Sequence, residues 1–133
     1  MSYSKEELVQ YRMERAWESL TDAEILVNGQ RWKSAANRMY YACFYAISAY
    51  LVFQGIRATT HSGLKSAFNQ ELIKPGKIAK AEGVLFNKLF SLRQEADYED
   101  FAEIQADEVQ SMLPNVKTLI LEIDRLIKAE NSL

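Results

Sequence analysis

The sequence predicts an all-α fold, a five-helix up-and-down antiparallel bundle of four long helices and one short one. Three observations predict it. Apolar residues recur at helical spacing through most of the 133 residues. Five Gly and two Pro are too little turn material for the many hairpins of an all-β fold. The stretches between periodic segments are short, which sets neighbouring helices antiparallel. The length suits one domain, 1–133.

The first helix is expected from near Ser4, its N-cap, with Glu7 completing a capping box. Its apolar track is Val9, Met13, Ala16, Leu20, Ala23 and Val27. Asn28-Gly29 ends it, because both tolerate a left-handed cap. The second helix runs from about Arg31 to Phe53, and Gly55 stops it. From Met39 to Phe53 only Ser48 is polar by the usual division. Fifteen residues fall short of the ~20 needed to span a bilayer, and four tyrosines fit poorly in hydrocarbon. The run therefore reads as a helix buried on most sides.

Thr59 or Thr60 can cap the third, short helix, with His61, Leu64, Phe68 and Leu72 on one face. Pro75-Gly76 breaks the chain. The fourth helix is expected from about Ile78 to Ala96, with the stripe Ala81, Leu85, Leu89, Leu92 and Ala96, weakened locally by Gly83. An acidic connection from Asp97 to about Ala106 follows. The last helix carries Val109, Met112, Val116, Leu119, Ile123 and Leu126, and Pro114 predicts a kink or a late start.

Composition narrows the function classes. Apolar residues at 48% and charged residues at 26% exclude a disordered chain. No signal-peptide stretch is visible at the N-terminus, and a cytoplasmic protein with no membrane role is expected. A single cysteine, Cys43, excludes an intramolecular disulfide and a multi-cysteine zinc site. The net charge of −2 conceals an asymmetry. Residues 1–30 carry −3, residues 31–94 carry +8 and residues 95–133 carry −7. The basic middle either pairs with the acidic ends inside the bundle or faces a phosphate-bearing partner; pairing is the simpler reading.

Few residues can carry chemistry. The one histidine, His61, excludes a two-histidine metal site. It reads as a core or capping histidine, or else as a general base or phosphate ligand. Arg93 and Asp97 sit at i, i+4 and can pair; alternatively the guanidinium is an anion site. Seven carboxylates between Glu95 and Glu108 read as a solvated acidic face rather than a magnesium or calcium site, since no EF-hand spacing is present. Lys74, Lys77 and Lys80 surround Pro75-Gly76 and could contact phosphate, but no aromatic residue there stacks a base. Cys43 reads as a packed small residue. No metal ion and no cofactor are expected.

Four strings in order carry a resemblance: Ala36-Asn37-Arg38-Met39-Tyr40-Tyr41-Ala42-Cys43-Phe44, Thr60-His61-Ser62-Gly63, Lys74-Pro75-Gly76, and Arg93-Gln94-Glu95-Ala96-Asp97-Tyr98. From about Leu8 to Leu126 the chain resembles the HEPN family (higher-eukaryote and prokaryote nucleotide-binding domain), within a set of small stand-alone prokaryotic proteins. The resemblance implies a HEPN-like helical bundle, a homodimer, and pairing with a small nucleotidyltransferase, often as a toxin–antitoxin couple. Many members are metal-independent ribonucleases whose motif is an arginine, four to six residues, then a histidine. Arg93 matches the arginine. Tyr98 stands where the histidine would begin to be expected, and no histidine follows.

An unperturbed tyrosine, with a pKa near 10, is a poor base at neutral pH. The departure points to a non-catalytic module that binds a nucleotide, a nucleotidyltransferase partner, or both. Arg93, Asp97, Tyr98, Arg38 and Tyr41 are its candidate binding residues. The alternative is a metal-independent endoribonuclease using Arg93 with His61 or Tyr98. RNA is the less supported ligand. In some toxin members the partner transfers AMP to a tyrosine near the motif, and Tyr98 is the candidate here.

Overall fold

The computed structural model describes residues 3–98 and 104–132; the side chains of residues 95–98 lie outside that description. Its helices are α1 (Lys5–Asn28), α2 (Trp32–Phe53), α3 (His61–Phe68), α4 (Lys80–Tyr98) and α5 (Ala106–Asn131). No strand occurs among the described residues. Helix α2 is the centre of the bundle. It packs most extensively on α1 and also contacts α3, α4 and α5. Met39, Tyr40, Cys43, Ala46, Ile47 and Tyr50 on α2 are all essentially inaccessible to solvent. That burial is why its sequence is nearly continuously apolar.

Local chemistry sets the ends of the helices. Ser4 Oγ accepts the Glu7 N–H at 3.1 Å and caps α1. Thr60, rather than Thr59, caps α3 by accepting the Gly63 N–H at 2.9 Å. A Cβ on residue 63 would stand 2.9 Å from that hydroxyl, so glycine lets the cap close. Gly55 takes a φ of 73°, and Ile56 N–H bonds back to Leu51 C=O at 2.8 Å, which closes α2.

Several boundaries differ from expectation. The left-handed residue after α1 is Gln30, with φ 58°, not Asn28 or Gly29. Arg31 N–H reaches Leu26 C=O at 2.9 Å, which places the cap one residue later. Helix α4 starts at Lys80, because Ile78 is buried and its N–H is taken by Leu72 C=O at 3.0 Å. Helix α5 starts at Ala106 and runs through Pro114, so the late start does not occur. Asp107 and Glu108 favour its first turn, and burial of Met112 and Val116 on either side of the proline offsets the missing N–H. Ala81 is exposed; Phe86 and Phe90 are buried in its place.

Helix α3 continues into one wide turn of π-helix at Asn69–Ile73, which the sequence did not announce. The turn keeps Leu72 in the core and lays Ile73 against α4. A Cβ at Gly83 would stand 3.3 Å from Ile73 Cγ1, so the glycine that weakens α4 makes room for that turn. The basic middle does pair with the acidic end: Lys77 reaches Glu130 at 2.8 Å and Lys88 reaches Glu108 at 2.9 Å. No described helix is long and apolar enough to cross a membrane.

Candidate functional site

Three elements converge on the paired tyrosines of α2. Tyr40 is fully buried and its ring stacks on Phe86 of α4 at 5.4 Å. The Tyr41 ring stands nearly perpendicular to it, centroids 5.1 Å apart. The Arg93 guanidinium lies over both rings, 5.4 Å from Tyr40 and 5.6 Å from Tyr41. Arg38 covers Tyr41 at 5.1 Å, and Asn37 Oδ1 accepts from its Nη2 at 2.9 Å and its Nε at 3.3 Å. Tyr41 thus carries a guanidinium from α2 and another from α4.

His61 completes the group from the start of α3. Its Nδ1 lies 2.8 Å from the Tyr40 hydroxyl. Its ring centroid is 4.9 Å from that of Phe44 and 6.1 Å from that of Tyr41. Burial raises the Tyr40 hydroxyl to about 12, against the lowering influence of Arg93, so Tyr40 stays protonated at neutral pH. His61 is the one hydrogen-bond partner of the Tyr40 hydroxyl among the described residues. With neutral His61, that hydroxyl donates to Nδ1 and the imidazole proton sits on Nε2.

The structure therefore brings His61, Arg93, Arg38 and Tyr41 together, although nothing in their spacing required His61 to meet Arg93. Asp97 and Tyr98 belong to the last turn of α4, and their side chains lie outside the described residues. Tyr40 escaped the sequence reading as a functional residue. Its neighbour Tyr41 was the candidate, and only the packing shows that Tyr40 holds the histidine. Lys65, whose ammonium lies 4.7 Å over Phe90, adds a cation on α3.

Other candidates are placed elsewhere. Lys77 is engaged by the Tyr50 hydroxyl at 2.9 Å and by Glu130, so it is a structural cation, not a loop ligand for phosphate. Cys43 is buried, and burial pushes its thiol far above the usual range, which disables it as a nucleophile. No group of three or more metal-ligating side chains is found among the described residues. Most of the Glu95–Glu108 acidic run lies outside them.

The sequence profile of the HEPN domain matches residues 9–126. The chain belongs to the HEPN domain family. It is 37% identical over 124 residues to a UPF0332 protein of Thermotoga maritima, covering 93% of this chain and 94% of that one. Two proteins of Methanocaldococcus jannaschii named as candidate toxins are also similar. One is 33% identical over 76% of this chain and 69% of its own. The other is 29% identical over 88% and 92%. The HEPN match spans every element that builds the Tyr40 cluster.

Proposed function

We propose that this HEPN protein is one half of a cytoplasmic, prokaryotic toxin–antitoxin-type pair. In this reading it is a homodimer that binds a nucleotide, its nucleotidyltransferase partner, or both. The Tyr40–Tyr41–His61–Arg93 cluster, with Arg38, receives the nucleotide phosphate. The observation that carries this is the donor set. A guanidinium fork and an imidazole N–H, fixed on one pair of rings, suit phosphate oxygens. Asp97 and Tyr98 follow Arg93 by about one turn of α4 in sequence, and Tyr98 is the candidate acceptor of AMP from the partner. The likeness to proteins named as candidate toxins supports the pairing.

Calorimetric titration with AMP and ATP tests the reading. Binding that falls ~10- to 100-fold in Arg93→Ala, the loss expected for charged hydrogen bonds, supports it. Absence of binding to the native protein overturns the nucleotide part. Incubation with the partner nucleotidyltransferase, ATP and magnesium, followed by mass spectrometry, tests Tyr98; an unmodified tyrosine removes that role.

One observation favours a second reading, a metal-independent endoribonuclease. His61 and Arg93 share the same two rings, so a proton carrier and a charge stabiliser are neighbours without the motif histidine. The hydroxyl of Tyr40 on Nδ1 opposes it, because Nε2 then holds the proton that a base must lack. Labelled RNA incubated in EDTA decides between them: cleavage lost in both Arg93→Ala and His61→Ala establishes the enzyme.

A further inference from the structure

A second cationic site lies away from the tyrosine pair, where α1 and α2 meet the connection into α3. A cleft of about 400 Å³ opens there. Its polar lining is Arg12, Ser48, Arg57 and Thr59, and its walls are Leu8, Leu51, Val52, Ile56 and Leu64. We propose that this cleft binds a small organic anion, a carboxylate or phosphate carried on an aliphatic body.

The charge is the first support. Arg12 is half-buried, and one guanidinium nitrogen donates to Ser48 Oγ at 2.7 Å. That neutral hydroxyl is its one hydrogen-bond partner among the described residues. Residues one turn away on α1 are Leu8, Val9, Arg15 and Ala16, so no carboxylate stands at i±3 or i±4. Arg57 is exposed, and no ion pair engages it among the described residues. No acidic residue occurs between Glu24 and Glu71, the stretch that supplies all of the cleft except Leu8 and Arg12. A half-buried guanidinium without a counter-charge is costly, and a ligand anion would supply that charge.

The fixed geometry is the second support. Ser48 is only 8% exposed and holds the guanidinium against α2, so the remaining N–H donors are pre-oriented. Ser48 itself donates no hydrogen bond among the described residues. The walls decide the rest of the ligand. They hold no aromatic ring to stack a base and few hydroxyl partners for a ribose, whereas five aliphatic side chains suit an alkyl chain. The cleft thus selects against the nucleotide that the Arg93 cluster would take.

Thermal melts and calorimetric titrations with octanoate, octyl phosphate, inorganic phosphate and AMP test the proposal. Octanoate and octyl phosphate are expected to bind and raise Tm, and inorganic phosphate to bind at least ~10-fold more weakly for want of the apolar contact. Arg12→Gln and Arg57→Gln are each expected to weaken octanoate ~10-fold or more. Val52→Trp, which fills the cavity and keeps both arginines, is expected to abolish octanoate binding while the protein stays folded. No binding of either alkyl anion overturns the proposal. So does octanoate affinity unchanged in both arginine variants, or inorganic phosphate binding as tightly as octanoate. Affinity for AMP, if the nucleotide reading holds, stays unchanged in Arg57→Gln and falls in Arg93→Ala. Failure of one site is thereby distinguishable from failure of the other.

Discussion

Helix α2 carries two buried tyrosines ten residues apart, and their surroundings are opposite. The Tyr50 hydroxyl lies 2.9 Å from Lys77 Nζ, 3.2 Å from Gln54 Nε2 and 3.2 Å from Glu130 Oε1. Glu130 also accepts from Lys77 at 2.8 Å and from Gln54 at 2.7 Å. Burial opposes ionisation of Glu130, yet the Lys77 hydrogen bond holds its carboxyl below the usual range. Hydrogen bonds to Glu130 first and Tyr50 second push Lys77 up. Cation and anion are balanced in this group. Around Tyr40 the fold gathers Arg93, Arg38 and His61 on rings instead. A balanced network fastens α2 to the end of α5. In the function proposed above, the cluster on the Tyr40 and Tyr41 rings is the one that receives a phosphate.

Stability separates the two regions most sharply. Glu130→Ala leaves Lys77, Gln54 and Tyr50 without their shared acceptor and is expected to cost about 1–3 kcal/mol in urea denaturation. Arg93→Ala, which removes the guanidinium from the Tyr40 and Tyr41 rings, is expected to cost less, about 1 kcal/mol. An equal loss in both would mean that Arg93 is structural and would break the comparison. Next in size are the hydroxyl deletions. Tyr50→Phe and Tyr40→Phe are each expected to cost about 1 kcal/mol. Only Tyr40→Phe is expected to alter AMP affinity, because it alone releases His61 Nδ1.

Much of this architecture was legible. The apolar tracks of α1 and α5 name most of their buried residues because both helices bury one stripe, but Val27 and Leu126 at the ends are half-buried, and Ser19, Ile120 and Ile127 are buried beside the tracks. Helix α4 was less legible: Phe86 and Phe90 are buried, Ala81 is not, and its burial includes residues beside the expected stripe. The π turn at Asn69–Ile73 left no sequence signal, since it arises from fitting Leu72 and Ile78 into one core. At the site, Arg93, Arg38, Tyr41 and His61 were named from their residue types and the family strings. Their meeting was not readable, because α2, α3 and α4 are far apart in sequence. Nor was the balanced partner of Tyr50, which comes from 80 residues away.

A pH dependence of similar size to the hydroxyl deletions must be separated before either tyrosine is titrated. Glu82 on α4 is 9% exposed and faces Glu122 of α5. Burial first, then the hydrogen bond and charge of Glu122, raise the Glu82 carboxyl to about 7, against an Ala79 backbone hydrogen bond that lowers it. The folded protein therefore holds a proton that the unfolded chain releases near pH 4.5. Stability from this proton is full below the unfolded value and is lost as pH rises through 7. Between pH 6 and pH 8 the loss is expected to be about 1 kcal/mol. Glu82→Gln keeps the neutral shape and removes the titration, so its denaturation midpoint is expected to be flatter across that interval. A Glu82→Gln protein with the native pH slope would place the titration elsewhere, with His61 beside Tyr40 as the next group to test. The two regions of α2 would then differ in pH response as well as in charge balance.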